Sequence, residues 1–238
     1  MEYKGYIIKI EQDTDGIDSP REWEPSTVML CDTKRYNLGD VENCDLESEI
    51  ISLWLDHATS KELRKKLFKD MRKTGKHIEH YTYIKSCAPA SRVLKSMFEQ
   101  FYEHEFNILG KSPDDIELPL KLTWKPLYLY DHGNISISNH KTCRWDSGFI
   151  GIHYIIDDGS MTLENQYKAL QVELEVYDQY LRGDVYWFAT ETKDGDLIDS
   201  CGGFFGYQAV LEEAQASIDY LIKTVPQQLE LNFEGVKA

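Results

Sequence analysis

The apolar positions of this chain change period along its length, and the changes mark the elements. Tyr3, Ile7, Ile8 and Ile10 make a first strand over 3–10 that runs into a polar turn at Asp13, Asp15 and Gly16. Pro20 and Pro25 hold the intervening Arg21-Glu22-Trp23 in extended or turning chain, because a residue before proline is biased away from the helical region. Residues 27–31 read as a second strand. Over 46–55 the spacing becomes helical, with Leu46, Ile50, Ile51, Leu53, Trp54 and Leu55 inside. Ser60 is placed to cap a further helix whose stripe is Leu63, Leu67, Phe68 and Met71. Between 89 and 109, Val93, Leu94, Met97, Phe98, Phe101, Tyr102, Phe106 and Leu109 repeat strongly enough to predict a third helix, which Gly110 and Pro113 end.

Beyond Pro119 and Pro126 the pattern is mostly that of a sheet. Residues 127–130, 135–138 and 148–156 read as strands, the last apolar and β-branched enough to be central. Thr162 can cap a helix along Leu163, Tyr167, Leu170, Leu174, Tyr177 and Leu181, which Gly183 ends. The turn at Asp194-Gly195 pairs 185–192 with 197–201 in an antiparallel hairpin. A last helix turns Val210, Leu211, Ala214, Ile218, Leu221 and Ile222 inward. The expected fold class is α+β: a mainly antiparallel sheet covered by helices on one face, with a mostly helical insertion. The expected domains are an α+β core of 1–40 and 119–238 and an insertion at 41–118.

Charge changes the picture next. The net charge is −15, and it is unevenly spread: residues 1–58 and 161–238 each carry 14 acids against 5 bases, while 59–160 carry 13 against 16. Such an excess repels phosphate and anionic lipid, so duplex DNA and membranes are not expected partners. It suits a basic protein partner, including one whose own groove holds nucleic acid. The basic run Lys61, Arg64, Lys65, Lys66, Lys69, Arg72, Lys73 and Lys76 has no aromatic residue besides Phe68, which belongs to the apolar stripe, and reads as a solvated helix face. Cys31, Cys44, Cys87, Cys143 and Cys201 are odd in number and contain no Cys-x-x-Cys pair, which points to free thiols, not to a disulfide framework or zinc ribbon. With no apolar run long enough to span a bilayer and a strand-like N-terminus, the expectation is a cytoplasmic protein.

Six blocks carry more specific information. Ser-Pro-Arg-Glu-Trp at 19–23, Arg-Tyr-Asn-Leu-Gly-Asp at 35–40, Leu-Tyr-Asp-His at 129–132, Trp-Asp-Ser-Gly at 145–148, Tyr-Asp-Gln-Tyr-Leu-Arg-Gly-Asp-Val-Tyr at 177–186 and Asp-Ser-Cys-Gly-Gly-Phe-Phe-Gly at 199–206 stand in this order. Together they resemble a family of small acidic proteins from bacteriophages and other mobile elements. The resemblance covers roughly 15–40 and 127–222 and leaves 41–118 outside it. Where that family reads Asp-Asn after the tryptophan, this chain has Glu24-Pro25. The resemblance implies a viral or plasmid origin and an accessory role, and it brings no catalytic residue with it.

Two readings of function follow. The first is a non-enzymatic interaction protein whose acidic faces occlude the basic groove of a host nucleic-acid-handling protein, such as a restriction or CRISPR defence component. Glu164, Glu173, Glu175, Asp178, Glu212 and Glu213 would substitute for phosphates, and Arg21 and Trp23 are of residue types enriched at interaction hot spots. No cofactor and no metal is expected in this reading. The second is a small metal-dependent hydrolase or nuclease using Asp131, His132, Asp146 and Asp184 at strand ends, with His153 nearby. His140, Cys143 and Asp146 are spaced by three but match no recognised ligand signature. Gly202, Gly203 and Gly206 precede a helix, where an anion can bind, although a tight turn is the commoner use of such glycines.

Overall fold

The computed structural model describes residues 1–14, 16–74, 92–104 and 113–234. Asp15, Lys76, Cys87, Phe106, Leu109 and Gly110, named above, lie outside the described residues. In chain order the strands are β1 (Glu2–Tyr3), β2 (Tyr6–Gln12), β3 (Val28–Cys31), β4 (Leu122–His132), β5 (Asn134–Ser138), β6 (Ser147–Ile156), β7 (Val185–Glu191) and β8 (Leu197–Phe205). The helices are α1 (Leu46–His57), α2 (Ser60–Thr74), α3 (Arg92–His104), α4 (Leu163–Arg182) and α5 (Tyr207–Glu234), with short 3-10 turns at Pro20–Glu22 and Pro113–Asp115. No helix among the described residues is long and apolar enough to cross a membrane.

The α+β class and the antiparallel pairing are as the periodicity predicts, but the strands form two sheets of four: β1-β2-β7-β8 and β3-β6-β4-β5. The chain divides into two compact units. A terminal unit joins Met1–Trp23 to Glu175–Ala238, and a central unit is Glu24–Leu174. These limits differ from the expected core of 1–40 and 119–238 with an insertion at 41–118. The reason lies in one shared core: Trp54, Leu63, Leu67, Leu94, Phe98 and Tyr102 from α1, α2 and α3 pack with Leu30, Leu122, Ile152 and Tyr154 from β3, β4 and β6. The helices of 41–118 therefore bury their apolar stripes on the sheet instead of forming a body of their own.

In the central unit β6 is an inner strand, paired with β3 on one side and β4 on the other. Gly151 permits this, since a Cβ there would stand 1.8 Å from the Leu30 carbonyl oxygen. Helix α2 is capped one residue earlier than expected. Glu62 N–H donates to Thr59 Oγ1 at 3.3 Å, and Glu62 Oε2 accepts from Thr59 N at 2.9 Å, a reciprocal capping box. Beneath α2 and α3 lies a charged network in which the fully buried Asp70 meets Lys66 Nζ at 2.7 Å, Lys73 Nζ at 3.3 Å and the Tyr102 hydroxyl at 2.7 Å. Glu117 adds to it through Lys66 at 3.1 Å and through Lys69.

In the terminal unit Val210, Ala214 and Ile218 of α5 seat on Ile8 of β2 and Phe188 of β7. The predicted hairpin forms, with Phe188, Ala189 and Thr190 opposite Cys201, Ser200 and Asp199. In α4, whose residues up to Leu174 belong to the central unit, the stripe differs from expectation. Leu163 and Tyr167 are exposed, and the buried face begins at Gln166, which accepts from Thr123 Oγ1 at 2.5 Å and donates to Asp157 at 3.0 Å before Leu170, Leu174 and Tyr177 take over. A polar residue held by two partners occupies a core position, which apolar spacing does not reveal.

Candidate functional site

The turn end of the β4–β5 hairpin gathers three of the six blocks. The hairpin reverses at Gly133, with φ of 87°, and residues 139–146 carry the chain from β5 to β6. The Asp131 N–H donates to the Asp146 carbonyl at 3.1 Å, which ties that crossing segment to β4. Ser147 fixes it further, its buried hydroxyl accepting from Cys143 N at 3.0 Å and bonding Thr142 Oγ1 at 2.9 Å.

Arg35 and Tyr36 reach this end from the loop after β3. Arg35 Nη1 donates to Asp131 Oδ2 at 2.8 Å and the Tyr36 hydroxyl to Oδ1 at 3.0 Å. Burial and then the Asp131 bond push the Tyr36 hydroxyl up from its ordinary pKa, so it remains a donor. The loop is built for this placement. Asp40 exchanges bonds with Met29 at 2.7 and 2.9 Å, and Gly39, at φ 78°, leaves no room for a Cβ, which would lie 2.6 Å from the Met29 carbonyl oxygen.

On the solvent side Asp146 receives the Cys143 thiol at 3.4 Å and stands 3.9 Å from Nδ1 of the exposed His132. Trp145 is 83% exposed, with the Arg144 guanidinium 5.2 Å from its ring centre.

Of the acid and histidine set expected to share chemistry, His132 and Asp146 approach through their side chains, while Asp131 is tied to Asp146 through the backbone and gives its carboxylate to Arg35 and Tyr36. Asp184 belongs instead to the terminal unit, 3.7 Å from Arg182 Nη2, with its backbone bonded to Gln179 and Gly206. Both oxygens of Asp131 accept from neighbours, which makes it an anchor for Arg35 and Tyr36. Asp146 is the shared partner of Cys143 and His132, whereas an activated thiol requires the imidazole next to the sulfur. His140 bonds Asn139 Oδ1 at 3.1 Å. His153 is fully buried in β6, where its Nε2 bonds Thr27 Oγ1 at 2.5 Å. Among the described residues no three His, Cys, Asp or Glu side chains are grouped to hold one metal ion.

The acids expected to contact a partner fall into two sets. Glu173 is a structural clamp, accepting from Ser26 N, Ser26 Oγ and Thr27 Oγ1 at 2.9, 2.6 and 2.5 Å. Asp178 accepts from Arg182 Nε at 2.9 Å. Those bonds remove both from the role of phosphate substitute. Glu164, Glu175, Glu212 and Glu213 are exposed, with Glu212 accepting from Gln208 at 2.7 Å. Arg21 lies in the 3-10 turn that Ser19 caps, and Trp23 is 54% exposed, its ring edge-on to Phe205 at 5.6 Å. The glycines before α5 are used for packing. Gly203 N–H donates to Asp13 at 3.1 Å, and a Cβ on Gly206 would meet Gln179 at 2.7 Å, so a carboxylate already stands where an anion would approach.

Reading by residue type missed Arg144, Arg35 and Tyr36 as members of one site. The adjacency of Arg144 to Trp145 was the available signal. No protein-family model, curated protein or solved structure matches the chain.

Proposed function

We propose that this is an accessory binding protein of phage or mobile-element type, acting in the bacterial cytoplasm, that engages a basic nucleic-acid-handling host protein and occludes its groove. The observation that supports this reading is the division of charge. Lys66, Lys69 and Lys73 of the basic run are spent on Asp70 and Glu117, while Glu164, Glu175, Glu212 and Glu213 are turned to solvent. Exposed carboxylates on helices present negative charge at the surface without the cost of desolvation until a cationic partner arrives.

The test is capture of the tagged protein from bacterial lysate with and without nuclease. One stoichiometric nucleic-acid-handling partner should survive nuclease, weaken as salt rises and be lost when Glu164, Glu175, Glu212 and Glu213 are all changed to Gln. A complex indifferent to salt and to these changes would overturn the proposal. The hydrolase reading retains one supporting observation, the approach of His132 Nδ1 to Asp146 at 3.9 Å. It requires a metal-dependent activity that Asp146→Ala abolishes.

A further inference from the structure

The hairpin end of the central unit carries a second surface, of opposite character to the chain as a whole. Trp145 has 83% of its surface exposed on a segment whose backbone Ser147 and Asp131 hold in place. One side of the indole is occupied by the Arg144 guanidinium at 5.2 Å, a cation–π contact that orients the ring and leaves its other face for a second planar group. Lys141 is exposed on the same segment, and the same hairpin end carries Arg35, paired with Asp131, and the 74%-exposed His132. From Asn139 to Trp145 the chain contains two cations and no acid. The acids nearby are already engaged, Asp131 by Arg35 and Tyr36, and Asp146 by Cys143.

We infer that this end of the central unit is a contact site for single-stranded nucleic acid, with a base stacked on the open face of Trp145 and the adjoining phosphates taken by Arg144 and Lys141. An unstacked base exposes a planar face of the kind an indole accepts, and Arg144 at the ring and the exposed Lys141 on the same segment supply cations for its phosphates. Duplex DNA keeps its bases stacked inward, so one protruding indole has nothing to stack on. A protein partner fits less well. Hot-spot tryptophans sit inside a ring of contacts that exclude water, whereas the neighbours of Trp145 are Arg144, Asp146 and other charged or polar groups. The net charge of −15 does not forbid the contact, because at physiological ionic strength charges beyond about 8 Å are largely screened.

This site is independent of the carboxylates on α4 and α5, and its test separates the two. The probe is a fluorescently labelled oligothymidine 12-mer, with the corresponding duplex as control, followed by anisotropy over a series of salt concentrations. The single strand should bind more tightly than the duplex. Trp145→Ala should weaken it roughly 5- to 150-fold, the range for loss of one base stack, and Trp145→Phe should restore part of the loss. Arg144→Ala should also lower the salt slope by about 0.7, the value for one phosphate contact on a single strand. Because Trp145 is so exposed, its replacement should leave the urea midpoint unchanged. Changing Glu164, Glu175, Glu212 and Glu213 to Gln should not reduce oligonucleotide binding, whatever it does to protein capture. No binding by the native chain, a duplex bound as tightly as the single strand, or equal binding by Trp145→Ala would overturn the inference.

Discussion

Asp70 is the residue on which the attachment of α3 to α2 should depend most. Its carboxylate is fully buried, and its partner Lys66 is only 7% exposed. Asp70→Ala leaves the Lys66 ammonium with Glu117 Oε2 at 3.1 Å as its remaining carboxylate, and it removes the acceptor of the buried Tyr102 hydroxyl. Removing one partner of a buried pair costs about 3–5 kcal/mol, chiefly because the other charge stays buried. Glu117 compensates in part, so the lower end, about 3 kcal/mol, is expected. Tyr102→Phe removes one hydrogen bond to a charged acceptor and leaves both lysines paired, which should cost about 1.5–3 kcal/mol. Burial first, and then the bond to Asp70, push the Tyr102 hydroxyl far above its ordinary pKa, so it donates throughout the accessible pH range. The assay is urea unfolding, read by amide exchange over α1, α2 and α3 so that the central unit is followed by itself. A loss below about 1 kcal/mol for Asp70→Ala, or a larger loss for Tyr102→Phe than for Asp70→Ala, would refute the reasoning, since the stranded lysine would then contribute nothing.

Two further outcomes follow from the central unit. Gly151→Ala should cost about 3 kcal/mol or more, the top of the range for overpacking, because its Cβ would collide with the Leu30 backbone. Gly148→Ala on the same strand meets nothing within 4 Å and should change the urea midpoint little; similar losses at both positions would dismiss the close approach of β3 to β6 as their cause. Glu117 and Glu62 should make the unit acid-labile. Burial raises each carboxyl, but Lys69 and Lys66 outweigh it at Glu117, and the bonds from Thr59 and Leu120 outweigh it at Glu62, so both stand below the ordinary 4.5. A depressed folded pKa gives stability that is fully present above 4.5 and is lost as the pH falls through the folded values. Urea midpoints measured on either side of that pH should therefore drop on the acid side, and Glu117→Gln should flatten the drop. An unchanged acid profile in that variant would remove Glu117 from the account.

What the sequence discloses and what it hides divide along physical lines. Periodicity located α1, α2 and the described part of α3, and β-branched runs located β4 to β7, because those signals are local. The Asp-Gly turn set the β7–β8 register for the same reason. Partition of the strands into two sheets was not legible, since it depends on β2 pairing with β7 across more than 170 residues of chain. Polar core positions were hidden as well. Gln166 and Lys66 look like surface residues until their partners Thr123, Asp157 and Asp70 are in place. At the candidate site the strand-end logic pointed to one hairpin end for Asp131, His132 and Asp146, but it could not anticipate that Arg35 and Tyr36 would occupy the Asp131 carboxylate.

The six sequence blocks sort by unit, and that sorting bears on function. Those at 35–40, 129–132 and 145–148 meet at the β4–β5 end of the central unit, while those at 19–23, 177–186 and 199–206 meet in the terminal unit through Trp23 with Phe205 and Gly206 with Asp184 and Gln179. Most residues in them have a structural duty that their chemistry explains. Gly39 and Gly206 admit close backbone or side-chain approach, Asp40 pairs with the β3 backbone, and Asp131 anchors a loop. Each would be restrictive in a protein with no activity at all, so the blocks as such do not argue for catalysis. The residues left over are those the fold does not need buried: Trp145 and His132 in one unit, Trp23 in the other. An exposed aromatic side chain gains nothing for stability from its exposure. Function is therefore best sought where the blocks spend aromatic surface on solvent, and of these positions Trp145, with the Arg144 guanidinium on its ring and the exposed Lys141 four residues before it, has the better-defined chemistry.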